Sequence, residues 1–521
     1  MPLLANPQVA FPSLISLFTS SFGVIPGLKI AIWLHTFLGL WGMWLLTGYF
    51  GIKAPARLLA SFIFMFNGTW VMHLAEGHMS WLAVAFLPFM FLAYLKSFEK
   101  KQWLFISAAI EGLMFYEGST YVFAFCLLFI CVYGLLRAVE TRGWQPVLSV
   151  VFMNLLAALL CAPKLFPLLG LLSSNPRVVG TGTSLHWYDY ISIFIDRERS
   201  LDSFGVWEYG TYIGLTVVVF YLASLSLLKQ HTALVLTSLF LLLISFGNFA
   251  KFAPWTILHK LPFWSYFQLP TRSLIVFDFT VALLIGLYLG RSNSNKWITF
   301  LVSIIAIYIC IDLFLTNSRL FAEATKPTII AVFRLDGKKP PPPTLYSVDQ
   351  KTTTFWHSVP STHRPFSQIR VPDLERFVHG AWSDQYLPLL QNKGVVDAYE
   401  TILFNRNASA INDKDYRGEF YFKGKGKVEL LNWSPNKFVL HVNLQKDDRL
   451  VVNQNYWPGW HVSKGVLTRN EGLLAVDLPA GEYDISLRYL PTSFLIGVCV
   501  FCATVASMIA LTRAPTIQRQ S

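Results

Sequence analysis

Charge is what this sequence has least of. Asp, Glu, Lys and Arg make up 14% of its 521 residues, while 54% are hydrophobic and 16% aromatic. A chain this long and this apolar is excluded as an ordinary soluble protein and reads as a polytopic membrane protein. Cysteine is scarce as well. All six (Cys126, Cys131, Cys161, Cys310, Cys499 and Cys502) fall in apolar runs, and the large polar segment at 317–492 has none. That argues against a disulfide framework or a cysteine metal site, and an oxidising compartment would do the polar segment no harm. The motifs of soluble enzymes are missing too: no Gly-rich phosphate loop, no His-Glu-x-x-His and no Gly-x-Ser-x-Gly.

The formal net charge of +12 would by itself suggest nucleic acid, but its placement argues otherwise. Residues 318–492 hold 22 Lys+Arg against 18 Asp+Glu, and the rest of the chain holds 20 against 12. Most of the second excess sits in short loops between apolar runs, where it orients helices in a bilayer. No nucleic-acid partner is expected. Three Asn-x-Ser/Thr triplets (Asn67, Asn407, Asn432) carry little weight, since such triplets arise by chance and Asn67 lies in an apolar run.

Apolar runs occur at about 28–50, 55–72, 79–96, 103–116, 119–137, 146–163, 209–228, 232–246, 272–290, 297–316 and 493–512. They predict about eleven transmembrane spans. Loops with Lys53 and Arg57, Lys96 to Lys101, Arg137 and Arg142, Lys229, Arg291 and Lys296, and Arg513 and Arg519 alternate with loops of the other kind, so they belong inside. The outer side then receives residues 1–27, the turn around Glu76, Glu117, 164–208, 247–271 and 317–492. An odd span number with the carboxyl end inside puts the amino end outside, yet nothing in 1–27 reads as a signal peptide. The expectation is that an upstream helix precedes Met1. A miscounted span would explain the same conflict.

Three units follow. Residues 1–316 form a multi-span domain, 317–492 an extracytoplasmic domain, and 493–521 a last helix with a cytoplasmic tail. The middle unit carries a stiff Lys-Lys-Pro-Pro-Pro-Pro spacer at 338–343. From about 417 onward short β-branched and aromatic runs alternate with turn residues. Ile485, Leu487 and Tyr489 alternate with Ser486 and Arg488, which predicts a small antiparallel β-sandwich. Residues 344–410 are mixed.

The candidate chemistry centres on His73-Leu-Ala-Glu76-Gly-His78-Met-Ser-Trp81, a polar hinge between two long apolar runs. A His–Glu pair serves as acid and base or as part of a metal site; the plain reading is a capped loop with a solvated Glu. Glu117, in Tyr116-Glu-Gly-Ser-Thr, occupies an equivalent turn. Arg272, in Gln268-Leu-Pro270-Thr-Arg272, stands where an apolar run begins. It would either snorkel toward lipid phosphate or clamp a diphosphate. Trp255, Trp264 and Tyr266 are belt aromatics or stacking surfaces for a sugar or isoprenoid. Glu111, Asp278 and Asp312 lie inside spans, where acids are costly and a proton path is one explanation.

Several stretches resemble YfhO-like bacterial membrane proteins, which are placed with the GT-C class of glycosyltransferases. They are Pro2-Leu-Leu-Ala-Asn6-Pro7-Gln8 with Phe11-Pro12, Gly77-His78 before Trp81, Leu87-Pro88, Gln268-Leu-Pro270-Thr-Arg272, Asn455-Tyr456-Trp-Pro458-Gly459-Trp460, Leu478-Pro479-Ala480-Gly481 and Tyr489-Leu-Pro491. The Tyr-x-Pro-Gly-Trp element is the most specific. The resemblance implies a transferase in the bacterial cytoplasmic membrane. It would move a sugar from a polyprenyl-phosphate donor to a cell-envelope polysaccharide or teichoic-acid-like acceptor on the outer face. It also implies that the key acid lies upstream of Met1, with Glu76, His78 and Glu117 in support and Asn6, Gln8, Gln268 and Arg272 binding substrate. No metal site or cofactor is assigned, although a divalent metal stays open. A transporter or flippase using the intramembrane acids, and a non-catalytic assembly protein, are the rival readings.

Overall fold

The structure, a computed structural model, describes residues 3–174, 179–182, 185–186, 188–197, 208, 210–291, 296–324, 367–369, 393–395, 407–409, 413–434 and 436–513. The Lys-Pro run and most of 344–410 lie outside the described residues, as do Glu198 and Asp202.

The amino-terminal half is a chain of helices. α1 (Leu14–Phe22) leads into α2 (Val24–Tyr49), then α3 (Ala54–Met65) and α4 (Gly68–Ala75). α3 and α4 are one apolar segment broken at Asn67, whose buried side chain accepts the Trp70 amide and so caps α4. A 3₁₀ stretch at Met79–Phe86 runs into α5 (Leu87–Lys96). Next come α6 (Gln102–Tyr116), α7 (Thr120–Thr141), α8 (Gln145–Leu160) and α9 (Ala162–Ser174). The short α10 (Asp189–Ile195) precedes α11 (Leu215–Ser224), α12 (Thr232–Ser245) and α13 (Pro254–Leu258). α14 (Leu274–Gly290), α15 (Lys296–Ala324) and, after the β region, α16 (Thr492–Arg513) complete the set.

All eleven apolar runs become helical, but they are not eleven spans. Among the described residues seven segments are long and apolar enough to cross a bilayer: Pro26–Tyr49, Ala54–Ala75, Met79–Lys96, Thr120–Thr141, Pro270–Gly290, Thr299–Ala322 and Thr492–Thr512. α8 and α9 make an eighth only as a pair bent by 86°. The other three runs, at 103–116, 209–228 and 232–246, end as helical segments of 14 or 15 residues: Gln102–Tyr116, Leu215–Lys229 and Thr232–Ser245. At about 1.5 Å per residue these reach only about 22 Å, short of roughly 30 Å of hydrocarbon.

Burial orders the bundle. In the α14 segment 89% of the apolar window is buried, so this helix, apolar on every side, is the central post. In α16 only 11% is buried, which leaves most of it to face lipid. Asp278, on α14, is fully buried and accepts a hydrogen bond from Thr69 Oγ1 at 2.8 Å.

The carboxyl-terminal region carries the expected sheets. β1 (Ser367–Ile369) and β2 (Lys393–Val395) form a short parallel pair. β3 (Phe420–Phe422), β6 (Asp448–Asn455), β9 (Leu473–Leu478) and β8 (Val466–Asn470) make one antiparallel sheet, in that order. β4 (Lys427–Ser434), β5 (Lys437–Leu444), β10 (Gly481–Tyr489) and β7 (Trp460–Val462) make the other. Phe438, Leu440, Val442 and Leu444 of β5 meet Leu450, Val452, Leu474 and Val476 of the facing sheet in one core. Strand alternation supplies that core, with Ile485 and Leu487 turned inward as their spacing requires.

Candidate functional site

The Glu76 hinge is a helix C-terminus with a specific closure. The Gly77 amide donates to Leu74 O at 3.0 Å, and the His78 amide reaches back to His73 O at 2.9 Å. Gly77 sits at φ +81°, a conformation that costs a residue with a Cβ. This is a Schellman closure, whose two paired positions normally carry apolar side chains that touch. Here both are histidines. His73 Nδ1 and His78 Nδ1 lie 2.9 Å apart, and Glu76 Oε2 lies 3.7 Å from His78 Nδ1. The His73 ring lies flat on Trp81, with centroids 3.4 Å apart and planes 15° from parallel.

Burial raises the Glu76 carboxyl to about 7, with Glu208's charge adding and Arg272's opposing. Burial, then Arg272, lowers His78 to about 4, so its imidazole is neutral near pH 7. Glu76 therefore exchanges a proton in the neutral range while His78 stays a neutral donor or acceptor.

Arg272 closes the other side. It sits in a 3₁₀ turn at Pro270–Ser273 that opens α14. Its Nε donates to Glu208 Oε2 at 2.7 Å and its second fork nitrogen bonds Glu208 Oε1. The guanidinium lies 4.0 Å from the Tyr121 ring centroid and 5.9 Å from that of Trp81. The Gln268 amide donates to the Tyr121 hydroxyl at 3.3 Å, which fixes that ring. Thr271 Oγ1, beside Arg272, is buried without a hydrogen-bond partner. Gln268, Arg272, Glu76 and His78 are thus brought to one place. Glu208, Tyr121, Trp81 and Thr271 join them.

Glu117 belongs to a second place. It ends α6 at a similar Glu-Gly turn, Gly118 donating to Phe115 O at 3.2 Å with φ +77°. Its Oε1 accepts the Leu14 amide at 2.9 Å and lies 3.6 Å from His35 Nε2. Lys164, fully buried, donates to Val9 O at 2.6 Å and Phe115 O at 3.3 Å. Glu117 therefore pins the amino-terminal segment onto the bundle, and the structure gives it no contact with the Glu76 turn among the described residues. Asn6 Oδ1 accepts the Gln8 amide in a local turn, and Gln8 is exposed. Pro7, between them, lines a groove.

That groove is an apolar cavity of the helical region, about 520 Å³. Phe115, Leu127, Ala157, Leu168, Phe263 and Phe267 line it, with Glu111 at its wall. Glu111 Oε2 is buried without a partner. Phe267 packs edge-on against Tyr121, centroids 5.0 Å apart. Two aromatic rings, Phe267 in the groove wall and Tyr121 behind it, therefore stand between the groove and the Arg272 guanidinium.

Of the belt aromatics, Trp255 and Trp264 are buried against Phe125, and Tyr266 lines the groove. Asp312 accepts from Tyr212 at 2.8 Å and pairs with Arg197. Asn67 is a buried helix cap, which rules it out as a glycan acceptor in this fold. The pairing of Arg272 with Glu208 joins residues 64 apart, and Tyr121 carries no motif, so neither had a signal in the sequence. No protein-family model matches this chain, and no curated protein matches it.

Proposed function

We propose that this protein is a membrane glycosyltransferase of the GT-C kind, moving a sugar from a polyprenyl-phosphate donor to a cell-envelope polymer at the outer face of the bacterial cytoplasmic membrane. One observation carries the reading. An apolar groove of about 520 Å³ has Phe267 in its wall, Phe267 packs on Tyr121, and Tyr121 lies against Arg272. A lipid-linked sugar phosphate needs that order: an apolar channel for the isoprenoid, then a guanidinium for the phosphate, then polar groups for the sugar.

In the reaction, an acceptor hydroxyl oxygen attacks the anomeric carbon. The bond from that carbon to the phosphate oxygen breaks, and polyprenyl phosphate leaves with the electron pair. The hydroxyl proton passes to a carboxylate base. Arg272 steadies the phosphate, exchanging part of its Glu208 pairing for it, while Glu76 and His78 hold sugar or acceptor. Glu117 acts indirectly, by fixing Pro7 and its neighbours at the groove edge.

The test uses the full chain in lipid nanodiscs with a photoreactive polyprenyl phosphate. The expected labelling falls on groove residues such as Leu127 or Phe263, and the Leu168→Trp variant, which fills the groove, removes it. Labelling spread evenly over the lipid-facing helices, with no change in Leu168→Trp, would reject the reading.

A second reading, transport, draws on a polar chain. Asp278 bonds Thr69, and Thr69 bonds Thr211 at 3.0 Å. The next residue, Tyr212, bonds Asp312 and Arg197. Uptake of a labelled substrate against a proton gradient, lost in Asp278→Asn, would favour it.

A further inference from the structure

We propose that His73, Glu76 and His78 bind one divalent first-row transition-metal ion through two imidazoles and one carboxylate. The site goes beyond the transfer reading and does not depend on it, because metal binding is measured with neither donor nor acceptor present.

The argument begins with the backbone. A Schellman closure forces its two paired side chains together and projects the residue between them from the same turn. In this chain those three positions are His73, His78 and Glu76. The Gly77 conformation and the 2.9 Å bond from the His78 amide to His73 O make the turn rigid. Stacking on Trp81 locks the His73 ring, so its Nδ1 has one direction. The three groups offer ligand atoms that all lie within 4.8 Å of one another.

The spacing then separates two explanations. A simple hydrogen bond accounts for the 2.9 Å between the two Nδ1 atoms, one donating and one accepting. It leaves out Glu76, which at 3.7 Å from His78 Nδ1 is beyond hydrogen-bonding distance. An ion would bring in Glu76 as well, all three ligand atoms lying within 4.8 Å of one another. Ligands about 2.0–2.1 Å from a tetrahedral centre stand about 3.3 Å apart, between these two distances. Each of the two spacings differs from that value by about half an ångström or less.

The donor set selects the metal. Two imidazoles disfavour Ca²⁺ and Mg²⁺, which take oxygen ligands. Two His and one carboxylate suit Zn²⁺, with Co²⁺, Fe²⁺ and Mn²⁺ as relatives, and three protein ligands leave a fourth position for water or an oxyanion. Arg272 stands near the same Trp81 ring that carries His73, so an oxyanion on the ion would meet a cation.

The test is a titration of the purified, chelator-stripped full chain with Co²⁺, read by its visible d–d absorption, followed by displacement with Zn²⁺. One equivalent is expected to bind, with Zn²⁺ abolishing the band. His78→Gln and Glu76→Gln, whose wild-type side chains are 32% and 28% exposed and so tolerate exchange, should each weaken binding by about 100-fold or more. His441→Gln, in the β domain, should change nothing. A wild-type chain with no band, or a His78→Gln chain that binds as wild type does, overturns the proposal. Donor labelling in the groove is scored separately, so loss of metal binding and loss of the transferase reading are distinguishable.

Discussion

Arg272 lies with its guanidinium carbon 4.0 Å from the centre of the Tyr121 ring while its fork is engaged by Glu208. The arginine is thus held on two sides, by a π face and by a carboxylate, in a setting where side chains are 12% and 16% exposed. A planar, delocalised cation can lie on the ring and hold the carboxylate with two nitrogens at once; an ammonium meets the carboxylate only as a point charge.

Breaking this pair on one side should therefore cost more than removing both charges. Glu208→Gln is expected to destabilise the chain by about 3 kcal/mol, because a nearly buried guanidinium loses its counter-charge. The double variant Arg272→Gln/Glu208→Gln should lose less than the sum of the singles. Thermal unfolding in detergent measures both. Arg272→Lys should unfold near the wild-type temperature yet lose donor labelling at least tenfold.

Lys164 ties the amino-terminal segment to α6 through two backbone carbonyls. Lys164→Met keeps the stem and removes the donor, so Val9 O and Phe115 O each lose a partner at a cost of about 1–3 kcal/mol. Limited proteolysis should cut within residues 3–13 faster. Because Pro7 lines the groove, donor labelling should weaken as well.

Gly459, in the turn between β6 and β7, packs against the chain that leads from β10 into α16, its carbonyl accepting the Leu490 amide at 2.7 Å. It sits at φ +114°, and a Cβ there would lie 2.7 Å from Pro491 Cα. Gly459→Ala should lower stability by about 1–3 kcal/mol and expose the 489–492 junction to protease. Gly180→Ala, in open space, is the control and should be neutral.

His441 on β5 faces Asp484 and Glu482 on β10, with Nδ1 2.7 Å from Asp484 and Nε2 3.2 Å from Glu482. Hydrogen bonding to Asp484, then to Glu482, raises its pKa above the ordinary 6.5. A raised histidine stabilises the fold fully below the unfolded pKa and loses that stabilisation as pH rises through the folded one. Histidine NMR should show His441 titrating above 6.5 and moving down in Asp484→Asn. The wild-type melting temperature should fall between about pH 6 and 8 by more than the variant's.

Much of the fold was readable in the sequence because periodicity is local. The alternation of Ile485, Leu487 and Tyr489 foretold which residues of β10 turn inward, and each apolar run became a helix. Span number was not readable, because apolar length does not fix helical length. α8 bends by 86° into α9 at the end of its apolar run, next to Pro163, and the helix continues past Lys164 into residues expected to be loop. The Glu76 turn was visible through its glycine, but the meeting of His73 and His78 depends on a backbone closure that composition does not reveal. Trp460–Val462 escapes for a related reason: it has three residues, too few to show a period, whereas the equally short Phe420–Phe422 shows in its run of aromatics. The Arg272–Glu208 pair and the groove arise only from tertiary packing.

The same hydrogen bond that finishes α4 also assembles the two histidines. If the last turn of that helix opens, His73 and His78 part, and the cluster ceases to exist as a unit. Binding of the proposed ion would thus be coupled to a local folding equilibrium, which the amide hydrogen-exchange protection of His78 reports. A substitution at a residue that supplies no ligand atom, such as Gly77→Ala, would then lower the His78 protection factor, and would lower ligand affinity once the opened turn is appreciably populated.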